Sequence, residues 1–294
     1  MRILSPALCV AAALALPGQA AAFQGSSFQL AQAGTPEEIE ERARSQRAST
    51  GKTAPGTDEP VALSAELATA LSRGNTESFL ASGSLRLVWV FADRWVSETR
   101  GTALYQEDDE GAIANKWGLF ERVDRFLSDR LSAFAAAGIE RDVFAALDYR
   151  YSGQLGASYL LVENRDPAKD DLLLDKLTFE LGAYAAREDF VLPPNAEPGT
   201  VLEEESRDIV AGRAALAYEH SFRRGTNVGV QIEVIQDFVD TENFVFNDTA
   251  YIAAGIVEGL ALKVAFTHRY DAQPASEELE ENDLLLTAGI VVSI

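Results

Sequence analysis

Phe79-Leu80-Ala81-Ser82-Gly83-Ser84-Leu85-Arg86-Leu87-Val88-Trp89-Val90-Phe91 is the stretch that decides the fold of this chain. Its odd positions carry Phe79, Ala81, Gly83, Leu85, Leu87, Trp89 and Phe91, an apolar and aromatic row. The even positions mix Leu80, Val88 and Val90 with Ser82, Ser84 and Arg86. A period of two marks a strand with two unlike faces. The same alternation recurs along the chain, at roughly 61–72, 77–91, 95–106, 116–127, 131–142, 148–162, 173–187, 208–222, 227–239, 245–257, 260–271 and 283–294. Most of these segments exceed the ~5–6 residues usual for soluble strands and suit the ~9–11 needed to cross a bilayer at a tilt.

The connections sort by parity. Tight turns follow the second, fourth, eighth and tenth segments, at Ala92-Asp93, Ser128-Asp129-Arg130, Arg223-Arg224-Gly225-Thr226 and Glu258-Gly259. The sixth, with Asn164-Arg165-Asp166-Pro167, is of middling length. Long polar connections are expected at the third, seventh and eleventh places, near 107–115, 188–207 and 272–282. Membrane barrels have this asymmetry of short turns and long outer loops, whereas Greek-key sandwiches have no reason for it.

The side chains agree. One parity carries Leu155, Ala157, Tyr159 and Leu161, then Val228, Val230, Ile232 and Val234, then Leu260, Leu262, Val264 and Phe266, then Leu284, Leu286, Ala288, Ile290, Val292 and Ile294. The other carries Arg86, Glu98, Arg100, Glu140, Arg150, Glu180, Arg213, Glu219, Glu233, Lys263 and Arg269. Apolar groups outside and charges inside invert the soluble pattern. Aromatics near segment ends, such as Trp89, Trp95, Tyr105, Trp117, Tyr149, Tyr151, Phe222, Phe238 and Tyr270, read as interfacial girdles. Segment four is ambiguous, because Glu121 and Arg125 share one face while Arg122 and Asp124 share the other. The expected fold is an all-β, twelve-stranded antiparallel up-and-down transmembrane β-barrel over residues 61–294, with a soluble sandwich or lipocalin-like barrel as the alternative.

Ahead of the barrel, Arg2, the apolar residues 8–16 and Gln19-Ala20-Ala21-Ala22 form a Sec-type signal peptide over 1–22. Ala31-Gln32-Ala33 is a second candidate cleavage site. The only cysteine, Cys9, falls inside the signal, so a disulfide is not expected. Residues 23–60 read as a polar periplasmic linker, with one capped turn from Thr35-Pro36 to Glu38. A net charge of −21 on 294 residues disfavours nucleic acid and anionic head groups as partners.

Several stretches resemble the bacterial salt-induced outer membrane protein family (YdiY-like). They are Gly74-Asn75-Thr76-Glu77-Ser78, Asp124-Arg125-Phe126-Leu127-Ser128-Asp129-Arg130, Gly138-Ile139-Glu140-Arg141-Asp142-Val143-Phe144 leading to Asp148-Tyr149-Arg150, and Leu177-Thr178-Phe179-Glu180-Leu181-Gly182. The resemblance covers about 62–293. It implies an outer-membrane location and the insertion machinery as a partner, but no established activity and so no catalytic residues. The last residue, Ile294, departs from the terminal aromatic more usual in such barrels.

Two histidines bound the enzymatic options. His220 is followed by Ser221, but adjacent strand residues point to opposite faces and form no dyad. His268 lies between Phe266 and Tyr270, so both histidines read as girdle residues. Acidic runs at Glu107, Asp108, Asp109, Glu110, at Glu203, Glu204, Glu205, and at Glu277, Glu278, Glu280, Glu281 share the long-loop side. They are weak candidates for divalent cations bridging to lipopolysaccharide, against a plain solvated surface. Twelve tilted strands enclose a cylinder of about 24 Å, with on the order of 10 Å left inside the side chains. That lumen either passes ions or small solutes, or is filled by ladders of Arg86, Arg100 and Arg150 with Glu98, Glu140 and Glu180. The expected role is non-enzymatic and structural, tied to envelope or salt stress, without a cofactor. A narrow channel is the second reading and a lipid-modifying enzyme the third.

Overall fold

In the computed structural model, twelve antiparallel strands close into one barrel with neighbours in chain order and β1 paired with β12. They are β1 (Val61–Ser72), β2 (Ser78–Ala92), β3 (Trp95–Asp108), β4 (Gly111–Phe126), β5 (Leu131–Asp142), β6 (Leu147–Asp166), β7 (Leu172–Phe190), β8 (Ser206–Arg223), β9 (Thr226–Asp237), β10 (Phe244–Val257), β11 (Leu260–Asp271) and β12 (Asn282–Ser293). The structure describes residues 61–72, 78–92, 94–108, 111–167, 172–194, 196, 201–202, 204–223, 225–257, 260–274 and 281–293. The signal peptide and linker expected over 1–60 lie outside them.

Closure matters because a sheet that faces lipid has no water to satisfy a free edge. The odd-numbered connections, including 191–205 and 272–281, gather at one end of the barrel, here the long-loop end. The even-numbered ones gather at the short-turn end with the start of β1 and the end of β12. Arg94 at φ 66° and Gly225 at φ 72° supply the left-handed residues that two of these tight turns need.

One connection differs from expectation. Residues 107–115 do not form a loop: β3 runs to Asp108 and β4 starts at Gly111, leaving only 109–110 between them. The polar tips stay paired, with Asp108 opposite Gly111 and Glu107 opposite Ala112. Strand pairing needs no apolar alternation where the tip has left the lipid-facing belt. β6 and β7, at 20 and 19 residues, are likewise longer than the alternating stretches within them. Three register shifts in their ladder, at Leu147/Tyr149, Leu160/Val162 and Asn164/Arg165, hide the parity there.

The outer surface is apolar: Leu67, Leu85, Leu155, Leu181, Leu284 and Leu286 are each more than half exposed. About half of the buried residues are charged or polar, among them Glu98, Arg100, Arg122, Glu140, Arg213 and Glu233. Such a surface is stable against hydrocarbon, not water. Two aromatic belts flank it. Trp89, Phe91 and Trp95 form a chain at the short-turn end, with centroids 5.4 and 6.1 Å apart. Trp117, Tyr149 and Tyr151 form another at the long-loop end, 6.3 and 6.0 Å apart.

Candidate functional site

The interior of the barrel is the chemically distinctive region. Every inward charge named from the sequence lies on the inner parity, and most are joined in one of several networks. At the first, Arg86 Nε donates to Glu98 Oε1 at 3.0 Å, and Arg100 donates to the same carboxylate. At the second, Arg150 bridges Glu140 on β5 and Glu188 on β7, the latter at 2.6 Å from Nε. Asp142 contacts Lys116 at 3.3 Å and also caps the short 3-10 turn Val143–Ala145 through the Ala145 amide.

The third network crosses the lumen. Arg122 on β4 donates to Asp124 at 2.6 Å and reaches Glu180 on β7 at 2.8 Å, past two intervening strands. Glu180 also accepts from Arg213 on β8 at 3.1 Å, and Arg213 Nε donates to Glu233 on β9 at 2.6 Å. Asn247 of β10 completes the chain by donating to Glu233 at 3.1 Å. Phe134 stands inside it, with the Arg122 guanidinium 4.1 Å from its ring centroid and that of Arg213 at 5.9 Å.

Glycines make room for this. Phe134 pairs with Gly156, which pairs with Gly182, which pairs with Arg213. A Cβ on Gly156 would come within 2.7 Å of the Phe134 ring and 2.6 Å of the Leu181 carbonyl. The ring therefore takes the space that a side chain at this position would fill. The motif repeats on β9. Gly229 pairs with both Tyr251 and Glu219, and Tyr251 crosses over it to donate to Glu219 at 2.7 Å. All three atoms nearest a Gly229 Cβ belong to Tyr251. Gly229→Ala is expected to destabilise the barrel by about 1–3 kcal/mol through overpacking, and Tyr251→Ala in the same chain should relieve most of it. Urea unfolding of the two single variants and the double variant in vesicles measures the coupling; strict additivity would contradict the stacking.

Burial separates the lumen into two sides. Arg213 is 1% exposed, Glu140 2%, Arg122 4% and Glu233 4%. A water-filled channel would leave its lining accessible, so this side is packed. Near the seam the interior is looser: Lys263 contacts Glu66 across β12 at 2.7 Å, with the Glu66 side chain 41% exposed.

Arg122, Asp124, Lys116, Asp142 and Glu188 belong to these networks but were not among the named lumen residues. Glu188 continues the parity of Glu180, and would have followed from a longer seventh strand. Arg122 and Asp124 needed the face of strand four to be chosen. They point inward, while Glu121 faces outward and accepts from Ser97 and Thr99, and Arg125 lies 5.5 Å from the Trp95 ring.

Both histidines sit on the outer face beside a carboxylate. His220 Nδ1 is 2.8 Å from Asp175 Oδ1, and His268 Nδ1 is 2.8 Å from Asp248 Oδ1. Of the acidic candidates, Asp109, Glu110, Glu203, Glu277, Glu278 and Glu280 lie outside the described residues. Glu107 accepts from Tyr105, Glu204 from Arg207, and the backbones of Glu205 and Glu281 accept from Phe190 and Asp271. Among the described residues, no group of three His, Cys, Asp or Glu side chains could hold a metal ion.

Residues 65–294 match the model of a family described as a protein of unknown function, DUF481. The chain belongs to this family. The salt-induced outer membrane protein resemblance fits the DUF481 match. No curated protein matches the chain in sequence. Among solved structures, the chain is similar to the NanC porin, at 8% identity and a TM-score of 0.43, over 80% of this chain and 98% of that one. It is similar to an outer membrane channel from Pseudomonas putida F1, at 12% identity and a TM-score of 0.46, over 83% of this chain and 100% of that one. It is also similar to an anion-selective porin from Comamonas acidovorans, at 12% identity and a TM-score of 0.36, over 81% and 100% of the two chains.

Proposed function

We propose that this DUF481 chain is a non-enzymatic outer-membrane barrel that carries its own plug, with a structural role in an envelope exposed to changing salt. The single observation behind this reading is the buried chord from Arg122 through Glu180 and Arg213 to Glu233, packed around Phe134. Charges at close range in a water-excluded interior are little screened by bulk salt. A barrel held together this way keeps its shape when ionic strength changes. The long-loop end faces outward in this reading, next to lipopolysaccharide, and the short-turn end faces the periplasm. The acidic tips at that outer end repel one another and keep neighbouring copies apart.

Planar-bilayer recording tests it. The purified, inserted barrel is expected to be electrically silent at neutral pH in both low and high salt. Steady conductance from folded protein would end the plug reading. It would favour the narrow channel instead, along the looser side where Lys263 and Glu66 meet.

A further inference from the structure

The seam that closes the barrel is only partly zipped. Among the described residues, β1 and β12 pair at four positions, from Ser64 opposite Ser293 to Leu67 opposite Ile290. Continuing that register would set residues 68–72 opposite 285–289, yet no pair forms there. Both strands persist through this region, since β1 pairs with β2 as far as Ser72 and β12 pairs with β11 as far as Asn282. The strands still touch at the fork, where a Cβ on Gly289 would lie 2.9 Å from the Leu67 carbonyl. Ala68 still lies beside Gly289, 3.3 Å from that Cβ, and beyond it, toward the long-loop end, the facing edges of the two strands form an unpaired slit. Free edge groups in hydrocarbon are costly, so barrels close their seams unless something uses the opening.

What the slit joins indicates its use. Outside, Leu67, Leu284 and Leu286 are 59–69% exposed and flank it with apolar surface. Inside, β11 and β12 present Ala265, Thr267, Leu285 and Thr287, a short uncharged stretch between Lys263 at one end and the paired Arg269 and Asp283 at the other. The chord of ion pairs from Arg122 to Glu233 lies on other strands, β4 and β7 to β9. The Lys263–Glu66 pair forms the floor of this space, at the level where the seam begins to close. We infer that the seam is a lateral opening through which the acyl chain of a membrane lipid enters the lumen along this uncharged stretch. A plug that blocks the axial route leaves this sideways route intact. The inference rests on the barrel being embedded in a bilayer, and its test reads that premise separately.

The photo-crosslinking residue p-benzoylphenylalanine is placed singly at Leu286, Thr287 and Val291, and the refolded barrel is irradiated in phosphatidylcholine vesicles. Leu286 points outward and reports embedding. Val291 points inward behind the closed part of the seam, opposite Glu66. Lipid adducts at Thr287 are expected to exceed those at Val291 by about tenfold and to approach those at Leu286. Adducts at Leu286 with Thr287 no higher than Val291 overturn the lateral opening alone. No adduct at Leu286 overturns the embedding and the opening together. Hydrogen exchange on the unmodified barrel covers the case in which a variant fails to fold. Among 68–72 and 285–289, the amides that point to the seam rather than to β2 or β11 are expected to exchange on the order of a hundredfold faster than the seam-facing amides of 64–67. Equal protection across the two strands would show a zipped seam and overturn the proposal.

Discussion

Replacing Arg213 by alanine is expected to cost the barrel about 3–5 kcal/mol of stability. Its side chain is fully buried and bridges two carboxylates, Glu180 at 3.1 Å and Glu233 at 2.6 Å. Deleting it leaves both acids buried and short of the cation that made their burial tolerable. Glu180 keeps Arg122, and Glu233 keeps only the amide of Asn247. Glu233 therefore carries most of the penalty. The control is Arg213→Met combined with Glu233→Gln, which removes the opposing charges together and should recover most of the loss, since replacing a whole buried ion pair is often close to neutral. Urea unfolding of vesicle-inserted protein, followed by tryptophan fluorescence, measures both. A loss below about 1 kcal/mol for Arg213→Ala would mean that the pair is as solvated as a surface salt bridge. In that case the lumen is wet and the plug reading fails.

The Arg213 pairs also show where sequence reading stops. Parity alone assigns Arg213, Glu180 and Glu233 to the inner face, because one alternation holds along each strand. Pairing is legible only in part. Matching by type puts Arg86 and Arg100 with Glu98 and Arg150 with Glu140, as found, but sets Glu180 against these same arginines, whereas its partners are Arg122 and Arg213. Which inward groups meet depends on register and on the chord between β4 and β7, and neither is written in a single strand. Strand four stayed undecided for a related reason. Charges occur on both of its faces, and only the neighbours decide: Ser97 and Thr99 hold Glu121 outside, while Phe134 and Glu180 receive Arg122 inside. The hairpin around 109–110 was hidden because paired polar strands look like a loop once apolar alternation ends. The incomplete seam leaves no trace either. β1 and β12 alternate along their whole lengths, and only the register shows pairing stopping after Leu67.

Truncating Phe134 to alanine is expected to have the next largest effect, and it changes function as well as stability. The ring is 4% exposed, covers the bare backbone of Gly156, and gives a face to two guanidiniums. Losing a buried phenylalanine typically costs about 3–5 kcal/mol, because the surroundings relax only partly. Here the cavity would be lined by Arg122, Arg213 and Glu180, and a polar cavity of that size fills with water. Hydrated ion pairs exchange partners and stop acting as a rigid chord. Phe134→Ala should therefore turn a silent barrel into one with fluctuating conductance in planar bilayers, where Phe134→Leu should stay silent with a smaller loss of stability. The ring also explains why its neighbour is glycine. Gly156→Ala alone should be strongly destabilising, and adding Phe134→Ala should relieve only part of it. The Leu181 carbonyl, 2.6 Å from the added Cβ, belongs to the backbone and cannot rotate away. Two outcomes would sink the wedge role of Phe134: full recovery in the double variant, or a Phe134→Ala barrel that folds normally and stays silent.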